Sequence, residues 1–111
     1  MRCERQLATT IVRLAGEFDL TCEEPFQQEL GRMLDRNTER LVLDLRGLDF
    51  MDSTGLRILI QISALARSDG FNFEILCSVP VRQVLRETGL DGVLPVIDAK
   101  TGVVPASDSP V

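Results

Sequence analysis

The sequence contains no histidine, tryptophan or tyrosine. Without an imidazole it cannot assemble a Ser-His-Asp or Cys-His nucleophile, a phosphohistidine relay or a histidine-ligated metal centre, which removes most enzyme classes at once. Its three cysteines, Cys3, Cys22 and Cys77, are an odd number at wide spacings and fit neither a disulfide framework nor a zinc site. Cys22 and Cys77 each lie in an apolar-periodic segment and read as small core residues. No stretch approaches the roughly 18 consecutive apolar residues of a membrane span, and the opening MRCERQLATT has no apolar signal-peptide region. The expectation is a cytoplasmic protein with no membrane partner. Basic charge is short as well: 17 acidic residues face 12 basic ones, and the net charge of −5 argues against nucleic acid or anionic lipid as a partner. The glycines cradle no phosphate, because Gly16, Gly47, Gly55 and Gly70 match neither a Walker-type loop nor Gly-x-Gly-x-x-Gly. No catalytic residue, cofactor or metal is therefore expected, and the expected partners are proteins.

With 111 residues the chain has the length of one domain, and 44% hydrophobic with 26% charged residues is the balance of a soluble globular protein. Residues 3–7 and 9–15 (TTIVRLA) read as two strands close enough to form a hairpin, the second stopped by Gly16. Thr21 and Glu24 have the spacing of a capping box, and Cys22, Phe26, Leu30 and Leu34 recur every four residues, which predicts an amphipathic helix to about Arg36. Residues 40–45 (RLVLDL) hardly alternate, as expected of a strand buried on both faces; Gly47 ends it, and a loop runs to Asp52. A long helix over about 54–68, closed by Asp69-Gly70, precedes a strand over 71–77 (FNFEILC). Ser78 and Pro80 open a third helix that buries Val81, Val84 and Leu85 and has Gly89 at its C-cap, and residues 93–97 form a short strand that Pro95 confines to an edge. Residues 99–111 show no periodicity and read as a disordered tail after a domain of residues 1–98. Strands alternating with single helices predict an α/β protein with a largely parallel sheet after the opening hairpin.

The chain is organised around FMDSTGLRIL, residues 50–59. A buried strand leads through a short acidic loop to Ser53 and Thr54 at the start of the long helix. A helix N-terminus carries unpartnered N–H groups and about half a positive charge, so Ser53 reads both as a natural N-cap and as a seat for a phosphate. Projected at 100° per residue, Gly55, Ile58, Leu59, Ile62, Leu65 and Ala66 share one arc, the core face. Leu56, Ile60 and Ala64 fall elsewhere, with Arg57 beside them. This second apolar strip is either covered by a neighbouring helix or is a docking edge for a partner, and it begins within one turn of Ser53.

Asp52-Ser53-Thr54-Gly55-Leu56, preceded by Leu48-Asp49-Phe50-Met51, resembles the signature of the STAS domain, in particular of the bacterial anti-sigma-factor antagonists. Gly16-Glu17-Phe18-Asp19 resembles the family's Gly-Glu-hydrophobic-Asp segment, and the likeness covers residues 3 to about 98. The resemblance implies a STAS-type fold, a four- to five-stranded mixed sheet with helices mainly on one side, in a monomer or weak dimer. It implies that Ser53 is the phosphoacceptor, with Thr54 a second candidate, and that the partner is an anti-sigma factor that is itself a serine kinase. Binding that kinase would free a sigma factor; phosphorylation would end the binding until a serine phosphatase resets the site. The implied contact surface comprises Asp52, Ser53, Thr54, Leu56, Arg57, Ile60 and Ala64, rimmed by Glu17 and Asp19. Asp52 reads equally as orienting the serine or contacting the kinase and as a loop acid bonded to local N–H groups. Glu17 and Asp19 read equally as exposed turn residues, and Asp44, inside the central strand, reads as structural or as shaping the floor of the pocket. The alternative role is a scaffold or sensory STAS component of a larger phospho-regulated assembly.

Overall fold

In the computed structural model, which describes residues 2–18 and 23–97, the elements run β1 (Arg2–Gln6), β2 (Thr9–Phe18), α1 (Glu23–Met33), β3 (Arg40–Met51), α2 (Ser53–Asp69), β4 (Asn72–Cys77) and α3 (Val79–Glu87). The sheet has the order β1-β2-β3-β4. β1 and β2 form the antiparallel hairpin, turning at Leu7 and Ala8, and the β2–β3 and β3–β4 pairs are parallel, joined by helical crossovers. This is the mixed α/β sheet that the alternation of elements implies. Thr21, Cys22 and the segment 99–111 lie outside the described residues, so the capping box, the burial of Cys22 and the disordered tail are not addressed by them.

β3 is the centre of the molecule. Residues 41–45 are buried without interruption, as their lack of alternation implies. Leu41, Leu43 and Leu45 face a core built from all three helices: Phe26 and Leu30 of α1, Ile58, Leu59, Ile62 and Ala66 of α2, and Val81 and Leu85 of α3. The opposite sheet face carries a smaller apolar cluster of Ile11, Val42 and Leu76, to which no helix contributes. Charged side chains flank it: Arg13 pairs with Glu4, Arg40 with Glu74, and Arg46 with Asp44 at 2.8 Å. Asp44, only 5% exposed, is therefore a structural residue whose burial is offset by charged donors. Cys77 packs against the main core, and that burial pushes its thiol up to about 11, so it stays protonated and unreactive at neutral pH.

Several expected boundaries move. β2 does not stop at Gly16, nor β3 at Gly47; the pair continues to Phe18 and Met51 through register shifts after Arg13 and Gly16. Glycine makes this extension feasible. Gly16 adopts φ +86°, and a Cβ on Gly47 would lie 3.1 Å from both Leu14 O and Ala15 Cβ. α1 ends at Met33, about one turn before Arg36. Leu65, expected in the core, is 38% exposed because the buried arc of α2 is narrower than its apolar content. Thr88 rather than Gly89 caps α3, with Gly89 following at φ +75°. The expected fifth strand reduces to one parallel bridge, Ile75 to Val96, with Ile75 N donating to Pro95 O and Ile97 N to Ile75 O. Pro95 supplies an acceptor there and no donor, and among the described residues the ladder goes no further.

The strand-to-helix junction depends on one close contact. A Cβ on Gly55 would meet Met51 Cγ at 2.5 Å, and Met51 is itself buried in the core. Gly55→Ala must displace Met51 or the first turn of α2, so we expect a loss of about 1–3 kcal/mol in urea unfolding; unchanged stability would show that the contact relaxes freely.

Candidate functional site

β3 delivers the chain to Asp52, whose backbone N–H donates to Phe18 O at 3.5 Å. The parallel β2–β3 pairing places Glu17 opposite Phe50 and Phe18 opposite Met51, so the exposed Glu17 stands at the edge of the loop that begins α2. Asp19 lies outside the described residues. Phe50 points away from the core and is 47% exposed, although nothing in its composition marks it as a surface residue. Leu48 and Met51 both enter the core three positions apart, so the register shift after Gly16 breaks the two-residue period and leaves Asp49 and Phe50 together outside.

The cap of α2 is Asp52, not Ser53. The Asp52 carboxylate accepts from Thr54 N at 2.9 Å and Gly55 N at 3.3 Å, while its own backbone is extended. Asp and Ser are near-equal N-caps, and two of them in succession leave a one-residue ambiguity that the loop length resolves in favour of the aspartate. Ser53 becomes the first helical residue, with an exposed side chain; Thr54 is half-buried. The reading of Asp52 as a loop acid bonded to local N–H groups is thus the observed geometry.

Successive positions of an ideal helix set Ser53 and Ile60 two turns apart on nearly one line, with Leu56 and Ala64 to either side. Ile60 is 46% exposed, Ala64 is exposed and Leu56 is half-buried against the core. α1 therefore leaves this strip open. It lies instead against the neighbouring flank of α2, where Arg57 donates to Glu23 Oε2 at 2.5 Å and Gln27 Nε2 donates to Gln61 Oε1 at 3.1 Å. Glu23 is a site residue that the sequence did not reveal, because it lies 34 positions from Arg57. The surface as a whole consists of an exposed hydroxyl at a helix N-terminus, an apolar strip descending from it, exposed carboxylates at Glu17 and Asp49 above it, and one arginine at its flank. Among the described residues no group of acidic or cysteine side chains could hold a metal ion, and no helix is long and apolar enough to cross a membrane.

Comparison with known proteins bears on the family and the fold. The family model described as Mlab, STAS domain, matches residues 1–97. An anti-sigma F factor antagonist of Paenibacillus polymyxa is 32% identical over 98 residues, covering 86% of this chain and 83% of that protein. The anti-sigma-F factor antagonist RsfB of Mycobacterium tuberculosis is 31% identical over 98 residues, covering 84% and 80%. The crystal structure of an anti-sigma factor antagonist from Mycobacterium paratuberculosis has a TM-score of 0.78 at 26% identity, with 92% of this chain and 91% of that one aligned.

The cap assignment separates two neighbouring residues experimentally. Asp52→Ala should cost about 1 kcal/mol of unfolding free energy by urea titration, whereas Ser53→Ala should stay within about 0.5 kcal/mol. The reverse order would return the cap to the serine.

Proposed function

The chain belongs to the STAS domain family, and on that premise we propose that it is an anti-sigma-factor antagonist switched by phosphorylation of Ser53. In its unmodified form it binds an anti-sigma factor that is also a serine kinase, and so frees a sigma factor. The kinase transfers phosphate to Ser53 and the complex dissociates; a serine phosphatase restores the binding form. The chain's own part is recognition, and it carries no catalytic residue in this scheme.

The observation that carries the reading is the position of Ser53: it is exposed at the first position of α2, relieved of capping by Asp52, and aligned with an apolar strip in which Ile60 and Ala64 are exposed and Leu56 is half-buried. A kinase needs a hydroxyl that its active site can reach, and a docking protein needs apolar area beside it. The names of the two relatives support the partner class. Thr54 is the less accessible hydroxyl and serves at most as a second acceptor. Asp52, Arg57 and Glu17 border the surface.

Phosphate brings about −1.5 to −2 charges. At the start of α2 that charge meets the positive end of the macrodipole, although Asp52 already occupies Thr54 N and Gly55 N, so the fold accommodates it. The interface does not. Asp49 and Glu17 already make this end of the sheet acidic, and like charges brought together across an interface cost several kcal/mol. A hundredfold loss of affinity requires only about 2.7 kcal/mol.

Calorimetric titration with the cognate anti-sigma factor tests the reading. Ser53→Asp should bind at least about a hundredfold more weakly than the unmodified chain, and Ser53→Ala should bind normally while accepting no phosphate. Equal binding by both variants would contradict the switch. Ile60→Asp should weaken the complex by more than tenfold, about 1.4 kcal/mol, with the thermal midpoint little changed because the side chain is already exposed; a steep fall in the midpoint would make the strip part of the core.

A further inference from the structure

Arg57 lies four residues after Ser53 on α2. Side chains at that spacing are neighbours on the helix surface, and long helical side chains lean toward the N-terminus, so the turn that carries Ser53 is within reach of an Arg57 rotamer. In the unmodified chain its guanidinium is engaged elsewhere, on Glu23 Oε2 in the first turn of α1. The arginine side chain remains 54% exposed, against 24% for Glu23. The cation therefore has room to turn, while the carboxylate stays with its helix.

Resting on the phosphorylation reading above, we propose that phosphate on Ser53 captures Arg57 from Glu23. Three properties favour the exchange. The phosphate carries up to twice the charge of the carboxylate and offers three acceptor oxygens. An acid four residues before a base is the favourable order on a helix, because it also suits the macrodipole. The planar guanidinium matches phosphate with two parallel N–H donors. Its loss from Glu23 does not detach α1, because the Gln27–Gln61 bond and the buried Phe26 and Leu30 still hold that helix to the core.

The exchange gives the modification a second effect. Glu23 and Glu24 together form the acidic first turn of α1. With Arg57 drawn to the phosphate, Glu23 loses its cation, and the acidic surface that a partner meets spreads from the start of α2 to the start of α1. The phosphate's own charge is partly masked, and the change is spread over two helices with no movement of the sheet.

Phosphoserine installed at position 53 during synthesis of the full chain tests this without any kinase. Phosphorus NMR titration should give a second phosphate pKa lower in the wild-type sequence than in Arg57→Gln by about half a unit or more, with Arg57→Lys recovering part of the difference. The Arg57 Nε–H signal should shift on phosphate ionisation in the wild-type chain. Equal pKa values in wild type and Arg57→Gln, with no response at Nε–H, would overturn the proposal and leave the phosphate to the helix N-terminus alone. Partner binding does not enter the measurement. A chain that shows the pKa difference but binds its partner regardless of phosphate keeps the ion-pair exchange and loses the functional reading; the converse loses only the exchange.

Discussion

The two hydrogen bonds from Thr54 N and Gly55 N to the Asp52 carboxylate are the constraint on which the site depends. They fix where α2 begins, and so which residue of the Asp52-Ser53-Thr54 run lies outside the helix and which within it. Were the serine the cap, its oxygen would be tied to backbone N–H groups and a phosphate there would compete with the helix start. With the aspartate in that role, the serine is the first helical residue, its hydroxyl exposed and its modification independent of helix formation. Gly55 completes the junction from beneath, since only a residue without Cβ lets the first turn sit on Met51.

Magnitudes explain why such a site can switch binding without refolding the chain. The interaction of an anion with an exposed helix N-terminus is worth about 0.3–1 kcal/mol and is favourable, so phosphate does not threaten the native state. Across an interface the same charge is opposed by every nearby carboxylate and by the loss of its own hydration, and the penalty is several-fold larger. The rigid part of the molecule, β3 with three helices packed on one face, serves as a platform that holds the serine and the apolar strip in a fixed relation. Arg57 is the exposed cation on that frame, and its bond to Glu23 spans the two helices that border the site.

Much of this was legible in the sequence, for identifiable reasons. The run LVLDL at residues 41–45, apolar but for Asp44, hardly alternates, as a strand covered on both sides requires, and the 3.6-residue period of α2 separates its buried arc from Ile60 and Ala64, while Leu56 packs partly against the core. What escaped was set by contacts distant along the chain. Gly16 and Gly47 look like strand terminators, and their use as bulges in a longer β2–β3 pair depends on each strand meeting the other. Leu65 falls on the core arc of the helical projection, yet it is 38% exposed, because the arc that is actually covered is narrower than the projected one. The choice of cap between two adjacent cap-forming residues turned on a single residue of loop length. The partnership of Arg57 with Glu23 has no local signature at all.

The central claim is that Ser53, rather than its neighbour, is the hydroxyl presented for modification. Tandem mass spectrometry of the chain after incubation with the proposed anti-sigma kinase and ATP tests it most directly. The geometry predicts one phosphate, located on Ser53, and none in the Ser53→Ala variant even though Thr54 is retained. Phosphate on Thr54 of the wild-type chain, or undiminished phosphorylation of Ser53→Ala, would contradict the account.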